Sequence, residues 1–160
     1  MTKILYLDYD GVLQDEEVFF HPKRGIYMRT PGRTLFEWTY ILEELLAPHP
    51  EVKIVLSTSW VRVKNFTFAK ERLSTSLQSR VVGATFHNRF MSKTNFSMLP
   101  RGVQIEEDVF RRRPTSWFAI DDDAHAWPEW CRNKLIQTDG ARGISDIAIQ
   151  DAIATMLERF

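Results

Sequence analysis

Apolar residues follow two rhythms along this chain. Short, mainly apolar runs occur at Ile4–Leu7, Val52–Leu56 and Trp117–Ile120, with weaker ones at Arg80–Thr85 and Lys134–Gln137. They have the length of strands, and a continuous apolar run fits a strand buried on both faces. Between them the spacing changes to that of helices. Leu35, Trp38, Ile41, Leu42, Leu45 and Leu46 share one helical face, with Glu37, Glu43 and Glu44 off it, Thr34 as N-cap and Pro48 beyond the end. Further helices are expected over 63–77, over 102–113, and from a Ser145 cap to Arg159. His87 to Pro100 has no clear period and is expected to be a loop. Gln14 to Arg33, with Pro22, Gly25, Pro31 and Gly32, is expected to form a flap with a short hairpin. Buried strands alternating with helices predict a three-layer α/β domain with a mostly parallel sheet.

Carboxylates cluster where these strands end. Asp8 and Asp10 follow the first run, one residue apart, and Gly11 permits a sharp turn after them. On an extended backbone they point to the same side. Two carboxylates this close repel and call for a cation, a shared proton, or both. An all-oxygen donor set suits a hard cation such as Mg2+. Ser57, Thr58 and Ser59 follow the second run and can donate hydrogen bonds to an anion. Asp121, Asp122 and Asp123 follow the fourth. Ligands of open α/β sheets sit beyond the carboxyl ends of the strands, so the three motifs should converge on one edge.

Composition narrows the function. The 160 residues fit one domain, 1–160, with 14–33 as the flap, and 44% hydrophobic content suffices for a core. A formal net charge of zero provides no bulk field toward nucleic acid or membrane. The single cysteine, Cys131, excludes an internal disulfide and fits a reducing compartment. No apolar run reaches the length of a bilayer span, and no leader precedes Lys3, so a cytoplasmic location without membrane contact is expected. No obligate protein partner is inferred. The run Arg111-Arg112-Arg113 falls at a helix C-terminus, where cations suit the dipole, and is taken as solvated surface. His125, Trp127 and Trp130 follow the last acidic motif, where they could stack on a base or pack under a loop.

The motif order resembles the haloacid dehalogenase (HAD) superfamily of phosphohydrolases over nearly the whole chain. Its Asp-x-Asp is matched by Asp8-Tyr9-Asp10-Gly11-Val12-Leu13, and its Ser or Thr by Ser57-Thr58. Its Lys or Arg is matched by Arg101 or Lys93, and its late acidic pair by Asp121-Asp122. More narrowly, Leu56-Ser57-Thr58-Ser59-Trp60, Arg101-Gly102-Val103-Gln104-Ile105 and the segment from Thr138-Asp139 to Ser145 look like the HAD domain of Swiss Army Knife RNA repair proteins. The resemblance implies a Rossmann-like fold and Mg2+-dependent phosphomonoester hydrolysis. Asp8 would be the nucleophile and Asp10 the general acid and base. Mg2+ would be held by Asp8, Asp10 through its carbonyl, Asp121 and Asp122. Ser57 or Thr58, with Arg101 or Lys93, would bind phosphate. A basic residue often follows the Trp of the second motif directly; here Val61 intervenes before Arg62, so Arg62 is not carried over.

Chain length bears on the substrate. Neither 14–51 nor 61–100 has room for a cap domain with its own core, so an open site is expected. Such a site accepts an extended phosphorylated substrate, for instance a nucleic-acid end, with His21, Lys23, Arg24, Tyr27 and Arg29 of the flap helping to contact it. A small-metabolite phosphatase and a non-catalytic phosphate-end or partner-binding module on the same fold are the alternatives. The intact Asp8, Asp10, Asp121 and Asp122 favour an enzyme. A phosphoacceptor receiver would carry its acidic pair early, and no P-loop motif occurs.

Overall fold

The computed structural model describes residues 2–160. Five strands form one wholly parallel sheet: β1 (Lys3–Leu7), β4 (Val52–Leu56), β5 (Val81–Ala84), β6 (Ser116–Asp121) and β7 (Leu135–Gln137), in the order β5-β4-β1-β6-β7. The central strand β1 is the most apolar, with Ile4, Leu5, Tyr6 and Leu7 all at zero exposure. Its alternate residues point to opposite layers. Leu5 and Leu7 pack with residues of α1 (Thr39–Leu46) and α7 (Ile147–Glu158). Ile4 and Tyr6 pack with Ile105 of α6 (Arg101–Arg112) and with Trp127 and Cys131. The hairpin of β2 (Val18–His21) and β3 (Gly25–Met28) stands apart from the sheet, within the stretch expected as a flap.

Several helix boundaries differ from the sequence expectation. The first helix starts at Thr39 after Trp38, not at a Thr34 cap. Phe36 has φ 59°, its N–H goes to the Gln14 side chain at 2.8 Å, and the Trp38 N–H goes to the Leu13 carbonyl at 3.0 Å. Those donors are committed elsewhere, so residues 35–38 turn rather than wind. The helix expected over 63–77 is three short ones: α2 (Trp60–Val63), α3 (Phe66–Glu71) and α4 (Thr75–Gln78). Asn65 is fully extended and caps α3 by accepting from the Phe68 N–H at 2.7 Å, and Ser74 is extended before α4. The expected loop over 87–100 contains α5 (Lys93–Met98), capped by Ser92. Only Phe96 of that helix is buried, too little apolar signal to reveal a period. Asp146, not Ser145, caps α7 by accepting from the Ala148 N–H at 3.0 Å.

Helix α6 is fixed to the sheet by a buried polar anchor. Asp108 accepts a hydrogen bond from the Tyr6 hydroxyl at 2.7 Å and from Arg112 Nε at 2.9 Å. Burial and the Asp108 charge push the Tyr6 hydroxyl pKa well up, so it remains a donor. Arg111 also reaches Asp108, at 3.5 Å, so two members of the arginine run serve this carboxylate. At the other end of the helix, a Cβ on Gly102 would collide with the Trp127 ring, so only glycine allows this approach. Tyr6→Phe should therefore cost about 1.5–3 kcal/mol, the usual range for a hydrogen bond to a charged group. Urea unfolding monitored by circular dichroism measures it, and an unchanged midpoint would show that Asp108 is satisfied without Tyr6.

Candidate active site

Strand register assembles the site. Leu7 of β1 pairs with Leu56 of β4 and with Ile120 of β6. One step further along each strand, Asp8, Ser57 and Asp121 therefore lie abreast at the carboxyl edge. The Ser57 N–H donates to the Leu7 carbonyl at 2.9 Å, and the Asp8 N–H to the Ile120 carbonyl at 3.3 Å. All three residues are buried. Carboxylate oxygens of Asp8, Asp121 and Asp122 lie within 4.8 Å of one another. Gly11, at φ 77°, turns the chain past this cluster, and a Cβ there would collide with the Asp122 carboxylate.

Arg101, the first residue of α6, meets this charge. Its Nη1 lies 3.4 Å from Asp8 Oδ1 and 3.4 Å from Asp121 Oδ2, and it also donates to the Ser57 carbonyl. Burial opposes the guanidinium charge, but Asp8 and Asp121, with Asp123 and Asp122 behind them, outweigh burial and hold it protonated. Lys93, by contrast, is exposed at the start of α5 and forms no ion pair with these carboxylates. Arg62 of α2 is half-buried, with its guanidinium 5.4 Å from the Phe96 ring centroid. Burial and the Arg101 charge lower its pKa, partly offset by Asp8, so it belongs to the electrostatics of the site. Spacing from Trp60 gave no reason to expect that.

Asp10 stands apart from the three clustered carboxylates. Its Oδ1 accepts from Gln14 Nε2 at 2.8 Å and from Trp60 Nε1 at 3.0 Å. Burial, then the Asp8 charge, push its pKa up to about 6, against the pull of those two donors. Because Oδ1 already accepts two hydrogen bonds, Oδ2 is the oxygen free to carry a proton. Gln14 and Trp60 were not expected as partners of Asp10. Gln14 is wholly buried and also holds the Phe36 N–H, and neither contact leaves a pattern in local sequence.

The donor set fits a hard divalent cation. Asp121 Oδ2 is buried with no hydrogen-bond partner, although its Oδ1 accepts from the Asp123 N–H at 3.0 Å. Burial and the Asp8 charge raise the Asp121 pKa well above the ordinary carboxylate value, and the same causes push Asp122 up to about 7. Carboxyls in this condition gain from a nearby cation. Ser57 Oγ is likewise buried and unpartnered, whereas Thr58 Oγ1 accepts from the Trp60 N–H at 3.3 Å. The aromatic residues after the last acidic motif do not join the site. Trp127 is buried, donating to the Cys131 carbonyl at 3.2 Å, and Trp130 stacks on Phe110 at 6.1 Å.

A family model described as the HAD domain in Swiss Army Knife RNA repair proteins matches residues 4–149. Neither the curated proteins nor the solved structures contain a match. Among the described residues no helix is long and apolar enough to cross a membrane.

The carboxyl cluster predicts a pH signature for the metal-free protein. A carboxyl whose pKa is raised on folding binds its proton more tightly in the folded state. Its contribution is full below about 4 and is lost as pH rises through the folded value, about 7 for Asp122. In EDTA, Asp122→Asn should therefore be more stable than the parent above pH 7, and the gain should shrink toward pH 4. Thermal melts across that range measure it. A gain that grows as pH falls would contradict the assignment.

Proposed function

The chain belongs to the family of HAD domains in Swiss Army Knife RNA repair proteins, and from that premise we propose that it is a phosphomonoester hydrolase acting through an aspartyl-phosphate on nucleic-acid phosphate ends. HAD membership by itself points to phosphohydrolase chemistry. The observation that carries the finer reading is the pairing of buried Asp8 with Arg101, beside an Asp10 whose pKa lies near 6.

Each residue has a task that its surroundings suit. An Asp8 oxygen attacks phosphorus while the bond to the leaving oxygen breaks. Asp10 delivers the proton from Oδ2 to that oxygen, and a pKa near neutrality suits such a donor. Gln14 and Trp60 hold the carboxyl in place through Oδ1. Asp10, now ionised, takes a proton from a water that attacks the phosphorus, and the bond to Asp8 breaks to release phosphate. Arg101 and the unpartnered Ser57 hydroxyl donate to the phosphoryl oxygens as charge shifts onto them. Asp8, Asp121 and Asp122 would hold Mg2+, whose charge screens the phosphate from the attacking carboxylate.

The open edge supports an extended substrate. Between β1 and β4 lie only the hairpin and α1, and between β4 and β6 only short helices, β5 and α6. The enzyme should hydrolyse p-nitrophenyl phosphate with Mg2+ and lose that activity in EDTA; full turnover in EDTA would overturn the metal-assisted reading. Asp8→Asn should abolish turnover, and Asp10→Asn should reduce it about 10²–10⁴-fold. Arg101→Ala should cost far more than Lys93→Ala. Comparing kcat/KM for 3′- and 5′-phosphorylated oligonucleotides with that for sugar phosphates tests the substrate. A tenfold preference for the sugar phosphates would replace the nucleic-acid end with a metabolite.

A further inference from the structure

A cavity of about 120 Å3 lies between the hairpin and α2, lined by Asp10 together with Val18, Phe20, Trp60 and Val63. Its position follows from the chemistry above. Asp10 protonates the leaving oxygen, so the body of the leaving group must occupy space beside Asp10, and this cavity is such space. Its walls restrict what that group can be. Among the described residues, Ser59 is the only polar one besides Asp10 that lines it. Hydroxyls set against its apolar walls would lack partners, which is unfavourable, so a sugar that carries the leaving oxygen stays at Asp10 and only the group attached to that sugar lies against the walls. A flat heterocycle would instead lie against aromatic and aliphatic surface.

Two further observations point to a nucleotide. Phe20 (49% exposed) and Val63 (48%) are large apolar side chains left open to solvent around this one cavity. Grouped exposure of this kind marks a surface that a ligand covers. A cation flanks the same ring: Lys64 Nζ lies 4.9 Å from the Phe20 ring centroid, whereas Arg29 and Arg24 stack on Phe19 and Tyr27, on the other face of the hairpin. Among the described residues Lys64 pairs with no carboxylate, so its charge is available to a polyanion.

We propose that this cavity is the subsite for the base of the terminal nucleotide, with Phe20 as its stacking surface and Lys64 facing the adjoining phosphodiester. The proposal rests on the phosphatase reading above and names the part of the substrate that the site recognises. Aromatic platforms flanked by cations are the general means of holding single-stranded nucleic acid.

The test compares Phe20→Ala, Phe20→Leu and Phe20→Tyr with the parent. The substrates are 3′- and 5′-phosphorylated oligonucleotides, a phosphotyrosine peptide, and acetyl phosphate, which has no ring to stack. The Ala and Leu variants should lose about 5–150-fold in kcat/KM on an oligonucleotide, the range for one base–aromatic stack. The Tyr variant should restore it, and acetyl phosphate turnover should be unchanged in all three. Equal losses on acetyl phosphate would reduce Phe20 to a structural support of the hairpin and overturn the proposal. So would a loss confined to the phosphotyrosine peptide, which would make the substrate a protein. A parent enzyme that cleaves oligonucleotide ends while its Phe20 variants match it refutes the subsite alone. A parent inactive on every phosphoester refutes the phosphatase reading itself.

Discussion

Like charges held together at the end of a buried sheet are the constraint around which this protein is built. Asp8, Asp121 and Asp122 would separate if the backbone allowed it. The parallel register of β1 and β6 does not allow it, because Leu7 and Ile120 pair and the next residues must emerge side by side. Against them stands Arg101. At an effective dielectric of about 20, unit charges 3.4 Å apart attract by about 5 kcal/mol. Desolvating two ions costs several kcal/mol each, so the pair contributes little net stability. Its value lies in charge and position: a fixed cation beside the nucleophile, and carboxyls poised to take a second one.

Much of the remaining structure keeps these partners in place. The Tyr6–Asp108 anchor and the close contact of Gly102 with Trp127 seat α6 on the sheet. The first residue of that helix is therefore Arg101 at the carboxyl edge. Gly11 lets the chain clear Asp122 and carry Asp10 to Gln14 and Trp60. The same Gln14 takes the Phe36 N–H and so delays the start of α1. Proton donor, turn and helix start are thus one linked arrangement, and the hairpin and α2 bound the space beside it.

The inner strands β1, β4 and β6 were legible in the sequence because each is a mainly apolar run, the signature of burial on both faces. The acidic residues were legible as a group because a parallel sheet brings its carboxyl ends to one edge, which is where Asp8, Ser57, Asp121 and Asp122 lie. Helix α6 was legible as an element because an uninterrupted stretch with apolar Val103, Ile105, Val109 and Phe110 runs between Pro100 and Pro114. The breaks after Val63 and Glu71, and the late start of α1, were not. They depend on where the N–H groups of Phe36, Trp38 and Phe68 go, and such bonds to loop residues carry no periodic trace. The choice between Arg101 and Lys93 was also beyond the sequence. Both precede the last acidic motif, and only the direction of α6 brings one of them against Asp8.

If Asp8 is the nucleophile, it carries the phosphoryl group between the two steps, and capturing that phosphoenzyme tests its role most directly. In Asp10→Asn the second step lacks its base, while acetyl phosphate has a leaving group good enough to need no acid. Mixing that variant with acetyl phosphate and Mg2+, quenching in acid and mapping the modified peptide by mass spectrometry locates the phosphoryl group. The account predicts it on Asp8. A phosphoryl group on another residue, or none despite continuing turnover, would contradict it.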